Sequence, residues 1–120
     1  MCGIIGIVSK RQVVGRLIDG LERLEYRGYD SSGVATIRNS EIGCTKSTGK
    51  LISLKEKLKS EDIDGYVGIG HTRWATHGEP TEINAHPHVT KNVALVHNGI
   101  IENFAKFRDE FLKKGIRFNS

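Results

Sequence analysis

Residues 1–8 read MCGIIGIV, and this stretch decides the fold at the start of the chain. The apolar run GIIGIV (residues 3–8) is rich in β-branched residues, which predicts a short buried strand. A strand directly after Cys2 would hold that cysteine in place, although chain ends usually fray. Cys2 is then either an incidental terminal residue or, once Met1 is removed, a reactive residue at the start of the chain.

Outward from that strand, hydrophobic periodicity predicts further strands and several amphipathic helices. The predicted helices run from Val13 to Leu24, through Leu51 to Leu58, and over residues 101–114. The other predicted strands are residues 33–38, 41–47, 66–74 and 93–97. Strands outnumber helices and are not regularly separated by long helices, which favours an α+β fold with largely antiparallel sheets.

The composition of the chain is that of a soluble globular protein. Its 120 residues are 38% hydrophobic and 27% charged, with a formal net charge of +4. No apolar run approaches the ~20 residues of a membrane span, and no secretory signal is recognisable, so we expect a cytoplasmic protein that does not associate with membranes. The basic residues are dispersed among acidic and apolar ones, which favours solvated helix faces over nucleic-acid binding.

The longest stretch without periodicity, residues 76–89, is also rich in polar and titratable side chains. A long polar loop in a small domain is usually functional. His86 and His88 would lie on opposite sides of an extended segment around Pro87, and no metal-binding spacing is present, so we expect no metal site. Cys44, within a predicted strand, is interpreted as a packing residue, and both cysteines are expected to be free thiols in a reducing compartment.

Three further features suggest a site, and each has an ordinary alternative. A terminal cysteine with a free α-amine can use that amine as the base for its own thiol, because their pKa values are ~8 and ~8.5. Asn98 and Gly99 form a predicted strand–turn–helix junction that could donate hydrogen bonds to an oxyanion, or a simple hairpin turn. Arg73 follows a strand and could clamp a carboxylate through two parallel bonds, or form a surface salt bridge.

Five motifs in register resemble the glutaminase domain of the class II glutamine amidotransferases, a family of N-terminal nucleophile (Ntn) hydrolases. They are MCGIIGI, LEYRGYDSSG, HTRWATHGEP, NAHPH and VHNGIIEN. The resemblance implies part of a four-layer αββα sandwich with largely antiparallel sheets. Residues 24–31 and 71–88 are most similar to the branch that converts fructose 6-phosphate to glucosamine 6-phosphate in amino-sugar biosynthesis.

The resemblance also implies roles for individual residues. Cys2 would be the nucleophile that hydrolyses L-glutamine to glutamate and ammonia, with Asn98 and Gly99 as the oxyanion hole. Arg73 would bind the glutamine α-carboxylate, and Thr76 and His77 would belong to the loop that covers the substrate. Trp74 would gate an ammonia channel, and Arg27 and Gly28 would line the nucleophile's terminus.

The resemblance implies no cofactor and a homo-oligomeric parent enzyme. Residues 1–120 would be the N-terminal part of the glutaminase domain, incomplete at its C-terminus, because the family binds the substrate's α-amino group with an acidic residue shortly after Ser120. Fructose 6-phosphate would bind to C-terminal isomerase domains that this sequence lacks. Two alternatives stay open: another class II amidotransferase, and a non-catalytic fragment or glutamine-binding module that keeps the fold.

Overall fold

A computed structural model describes residues 2–120 as a mixture of three α-helices and six strands. The helices are α1 (Val14–Glu22), α2 (Leu51–Leu58) and α3 (Phe104–Lys113), and a short 3-10 helix spans Glu25–Arg27. The strands are β1 (Gly3–Val8), β2 (Ser31–Arg38), β3 (Glu41–Thr48), β4 (Val67–Arg73), β5 (His88–Val89) and β6 (Ala94–Leu95). None of the helices within this range is long and apolar enough to cross a membrane.

Four strands form one antiparallel sheet in the order β1-β4-β2-β3. Strand β4 pairs with β1 on one side, with Gly3 opposite Thr72, and with β2 on the other, with Gly33 opposite His71. Strands β2 and β3 are joined by a tight turn at Asn39 and Ser40, which both have positive φ, as hairpin turns require. The short strands β5 and β6 form a separate antiparallel pair.

Helices α1 and α2 cover one face of this sheet and make the hydrophobic core. The core residues are buried apolar side chains of the helices and of β2: Val13, Leu17, Ile18, Leu21, Val34, Leu51 and Leu54. The helices approach the sheet closely because β4 carries glycines in its interior. A Cβ atom at Gly68 would lie only 2.7 Å from Cδ1 of Leu17.

Strand β1 is formed where the sequence predicts it, but the prediction that it is buried is wrong for one of its faces. It lies at the edge of the sheet, and only Ile5 and Ile7 pack against the core. The alternate residues Ile4 and Val8 are 44% and 83% exposed. The reason is the two-residue period of a strand: the helices cover one face of β1, and no element of residues 2–120 covers the other at these two positions.

The chain around Asn98 and Gly99 also differs from its prediction. Strand β6 ends at Leu95 and helix α3 begins at Phe104, so the two residues lie in a loop rather than at a strand–turn–helix junction. The backbone there is held by side chains instead of a β-ladder, since the N–H of His97 donates to Nδ1 of His86 at 3.3 Å. The predicted amphipathic face of α3 lies on the surface and carries Phe104, Phe107, Phe111 and Leu112.

Residues 85–87 cover the sheet face opposite the helices, at β2. Ala85 and Pro87 are buried, and Nζ of Lys46 donates to the carbonyl oxygen of Ala85 at 2.9 Å. A Cβ atom at Gly33 would lie 2.3 Å from the carbonyl oxygen of His86. Only glycine therefore allows this segment to lie directly on β2.

We predict that Gly33→Ala destabilises this region by about 1–3 kcal/mol, the usual cost of forcing an extra methyl group into a packed site. The measurement is hydrogen exchange of the amides of residues 31–38 in the full-length protein. Gly6→Ala is the matched control, because Gly6 is also a strand glycine and its added Cβ would be 4.0 Å from the nearest side-chain atom. Equal protection in the two variants would contradict the packing argument.

Candidate functional site

Cys2 lies at the start of β1, beside the end of β4. The backbone N–H of Trp74 donates to Sγ of Cys2 at 3.2 Å, and the N–H of Gly3 donates to Oγ1 of Thr72 at 3.1 Å. These bonds follow from the antiparallel register, which brings together residues about 70 positions apart. The thiol is thus held at a defined place by the sheet. Met1 lies outside the described residues.

Asn98 reaches the same place from the loop between β6 and α3. Its Nδ2 donates to the backbone carbonyl oxygen of Cys2 at 3.2 Å, and its Oδ1 lies 2.7 Å from Nε2 of His71. The structure thus brings Cys2 and Asn98 together, although 96 positions separate them. Gly99 follows at φ +144°, a backbone conformation that favours glycine, and a Cβ there would lie 3.2 Å from Nε2 of His97.

A cluster of histidines adjoins Asn98, and sequence reasoning considered its members only as possible metal ligands. The rings of His71 and His86 are stacked with centroids 4.4 Å apart, and the ring of His88 meets that of His86 edge-on at the same distance. The expectation that His86 and His88 point to opposite sides is therefore wrong. The reason is the two-residue period of an extended chain, which turns residues i and i+2 to the same side.

Burial keeps these histidines neutral. It is the largest cause lowering the pKa of His71 and of His88, and it lowers the pKa of His86 to about 3. A neutral imidazole carries one N–H, and Oδ1 of Asn98 can only accept, so Nε2 of His71 is the donor. Within residues 2–120, no three His, Cys, Asp or Glu side chains are grouped so that they could hold a metal ion.

Arg73 is nearly buried at the end of β4, with 9% of its surface exposed. Its guanidinium donates to the carbonyl oxygen of His77 at 2.5 Å and to that of Glu79 at 3.2 Å. The side chain therefore ties down the loop that follows β4, and it is not the surface salt bridge considered above. Thr76 and His77 are exposed on this loop, with Oγ1 of Thr76 3.3 Å from Nδ1 of His77.

Trp74 and Gly28 pack against each other at the edge of the site. Gly28 has φ +70°, and a Cβ there would lie 2.8 Å from Cζ3 of the Trp74 ring, which is half exposed. Beside Gly28, the guanidinium of Arg27 lies over the ring of Tyr26, 5.4 Å from its centroid. The two predicted motifs that contain these residues are thus in direct contact through the Gly28–Trp74 pair.

Asp30 supports this corner of the site and was also missed by sequence reasoning. Its N–H donates to the carbonyl oxygen of Arg73 at 2.7 Å, and its carboxylate accepts the N–H of Ala75. Asp30 therefore holds the backbone on both sides of Trp74. A sequence signal for it was available, since Asp30 lies in the motif YRGYDSSG, just as His71 opens the motif HTRWATHGEP.

Comparison with known proteins shows which enzymes the chain is similar to. No protein-family model matches it. Over its entire length it is 60% identical to glutamine–fructose-6-phosphate aminotransferase (isomerizing) of Mesorhizobium japonicum, 57% to that of Bartonella quintana and 59% to that of Rhizobium leguminosarum. Over all 120 residues the chain is therefore similar to these aminotransferases. It spans 20% of the length of these relatives.

Two solved structures share the fold of the chain. Glutamine phosphoribosylpyrophosphate amidotransferase from B. subtilis, complexed with ADP and GMP, superposes with a TM-score of 0.81 at 23% identity. The match covers 98% of this chain and 26% of that one. A structure described as the allosteric regulatory enzyme of purine biosynthesis gives a TM-score of 0.82, with the same identity and coverage. The predicted fold class, α+β with largely antiparallel sheets, is confirmed, and the fold is shared with these two structures.

Replacement of His86 should make the stability of the protein less sensitive to acid. The unfolded pKa of histidine is ~6.5, and the folded value is about 3, so between them the unfolded chain binds a proton that the folded protein does not. Above pH ~6.5 the imidazole is neutral in both states and has no effect on the free energy of unfolding. As the pH falls from there towards 3, the unfolded state alone binds the proton, so the free energy of unfolding decreases. His71, His88, His97 and Arg73 surround the ring and act in the same direction.

We predict that His86→Gln lessens the loss of stability between pH 7.5 and about 5.5. Hydrogen exchange of residues 67–73 in the full-length protein, corrected for its intrinsic pH dependence, measures this loss. Between pH 7.5 and 8.5 both proteins should show the same slope, because the imidazole is then neutral in the folded and unfolded states. An equal loss below pH 6.5 in both proteins would show that His86 is not the group responsible.

Proposed function

We propose that this chain carries the glutaminase site of a glutamine amidotransferase, with Cys2 as the nucleophile. The observation that carries the proposal is that two segments distant in sequence both form hydrogen bonds with Cys2. The N–H of Trp74 contacts the sulfur of Cys2, and the side-chain amide of Asn98 contacts its carbonyl oxygen. A thiol next to a fixed amide donor is the arrangement that acyl transfer through a tetrahedral oxyanion needs.

The reaction proceeds through a γ-glutamyl thioester. After loss of Met1, the α-amine of Cys2 takes the thiol proton, and the thiolate attacks the carboxamide carbon of glutamine. One N–H of the Asn98 amide bonds Cys2, and the other is available for the oxyanion together with the N–H of Gly99. The tetrahedral intermediate collapses as the α-ammonium protonates the nitrogen, the C–N bond breaks and ammonia leaves. Water then attacks the thioester, which releases glutamate and restores the thiol.

The loop after β4 is the proposed glutamine-binding element. Its backbone is fixed by Arg73 and Asp30 from the end of the sheet. Thr76 and His77 are left exposed, shortly after the residue Trp74 whose N–H contacts Cys2. In this proposal Arg73 also binds the substrate α-carboxylate, with the N–H groups not used on the loop carbonyls. Arg27 and Gly28 line the terminus next to Trp74, which gates the path of ammonia.

The ammonia is used, in this proposal, to convert fructose 6-phosphate to glucosamine 6-phosphate. The support is the name shared by relatives that are 57–60% identical over all 120 residues. Residues 1–120 would form the N-terminal part of the glutaminase domain, and sugar-phosphate binding would belong to other parts of a homo-oligomeric enzyme. A cytoplasmic location agrees with the free thiols of Cys2 and Cys44.

Cys2→Ala should abolish glutamine hydrolysis by the full-length protein, because no other residue supplies the nucleophile. A glutamine-like electrophile should label Cys2 in the wild type and spare Cys44. The second cysteine is an internal control, since burial raises its pKa and makes it a weaker nucleophile. Intact mass should show the loss of Met1. Labelling of Cys44 alone, or hydrolysis at a near-normal rate in Cys2→Ala, would refute the assignment.

Asn98→Ala should lower kcat for glutamine hydrolysis by about 10²–10³, the usual effect of removing one oxyanion donor. The KM should change far less, because the amide acts on charge that develops only in the transition state. Asn92→Ala serves as the control, since Asn92 is an exposed asparagine of the turn before β6. A rise in KM with kcat unchanged would show that Asn98 binds substrate rather than the oxyanion.

A further inference from the structure

We propose that His71 is a positioning residue that sets the orientation of the Asn98 amide for the reaction at Cys2. This inference rests on the proposed glutaminase function. It assigns His71 no contact with substrate. Its task would be to decide which end of the amide faces the nucleophile.

The two residues differ sharply in how firmly the protein holds them. His71 has no exposed surface and lies in β4, which is paired on both sides. Asn98 is exposed and lies in the loop between β6 and α3. His71 is therefore held firmly, whereas the backbone of Asn98 makes no hydrogen bonds of a β-sheet. The 2.7 Å hydrogen bond from Nε2 of His71 to Oδ1 of Asn98 constrains a side chain that the loop alone would leave free to rotate.

The direction of this bond decides the chemistry of the amide. The carbonyl oxygen of Cys2 can only accept, so the end of the Asn98 amide that faces it at 3.2 Å is Nδ2. Oδ1 then faces His71 and accepts a hydrogen bond from Nε2. If the amide were flipped, its oxygen would face the developing oxyanion, and the two negative oxygens would repel each other. The amide of a free asparagine has no such preference, since its two ends have nearly the same shape.

The surroundings of His71 keep its ring in place and uncharged. Gly33 is its cross-strand neighbour, and the absence of a side chain there lets the His86 segment lie on the sheet and stack its ring on His71. Burial of the ring disfavours the imidazolium.

A double-mutant cycle on glutamine hydrolysis by the full-length protein tests this inference. The variants are His71→Phe, Asn98→Ala and the two combined. His71→Phe alone should lower kcat by about 10-fold to 100-fold, less than the loss of the donor itself, with KM within about twofold. If His71 acts through Asn98, the double variant should be no slower than Asn98→Ala, because coupled residues are not additive.

Two further variants separate positioning from packing. His71→Gln places an amide N–H near the position of Nε2 and should recover most of the kcat. His71→Asn has the same chemistry but falls short of Asn98 and should remain slow. His88→Phe is the matched control, since His88 belongs to the same cluster and none of its described contacts is to Asn98, and its kcat should stay within about twofold of the wild type.

The outcomes distinguish this inference from the function on which it rests. Multiplicative losses in the double variant, or equal rates for His71→Gln and His71→Asn, would overturn the positioning role while glutamine hydrolysis itself stands. A wild-type protein without glutaminase activity would instead refute the proposed function. If His71→Phe fails to fold, the comparison of the Gln and Asn variants still decides the question, because both keep a polar side chain of similar size.

Discussion

The antiparallel pairing of β1 with β4 is the constraint on which the site depends. It places Gly3 opposite Thr72, so that Cys2 adjoins Trp74 and the thiol accepts a backbone N–H. A shift of this pairing by one residue would turn every side chain of β1 to the other face, taking Ile5 and Ile7 out of the core. The hydrophobic core thus fixes the register, and the register fixes the position of the thiol.

One face of the sheet packs against the hydrophobic core, and the other face carries the candidate site. Helices α1 and α2 cover one face with an apolar core, which makes the sheet a rigid support. On the other face, β4 presents His71 and Arg73, and the segment of His86 lies on β2. Two loops, the one after β4 and the one that carries Asn98, each make a hydrogen bond with a buried polar side chain of β4. The polar side chains of a single strand therefore organise most of the site.

Much of the architecture could be predicted because local pattern and tertiary fold agree. The strands β1 to β4 and the helix α2 have the periodicity that their burial requires, and their bounds match the predictions to within two residues. Predictions failed where contacts distant in sequence decide the outcome. Whether Ile4 is covered depends on neighbouring elements, and the path of the chain at Asn98 depends on bonds to Cys2 and His71. Neither can be read from a window of adjacent residues.

The sequence by itself determined the candidate residues and their chemistry: a cysteine at position 2, an Asn–Gly pair, an arginine after a strand, and motifs that point to one family. Only the tertiary structure decided how they meet. It made His71 the partner of Asn98, turned the Arg73 guanidinium onto its own loop, and stacked His86 on His71. The physical reason is that hydrogen bonds and ring contacts act over a few ångströms in space, across separations of up to 96 residues that sequence periodicity does not record.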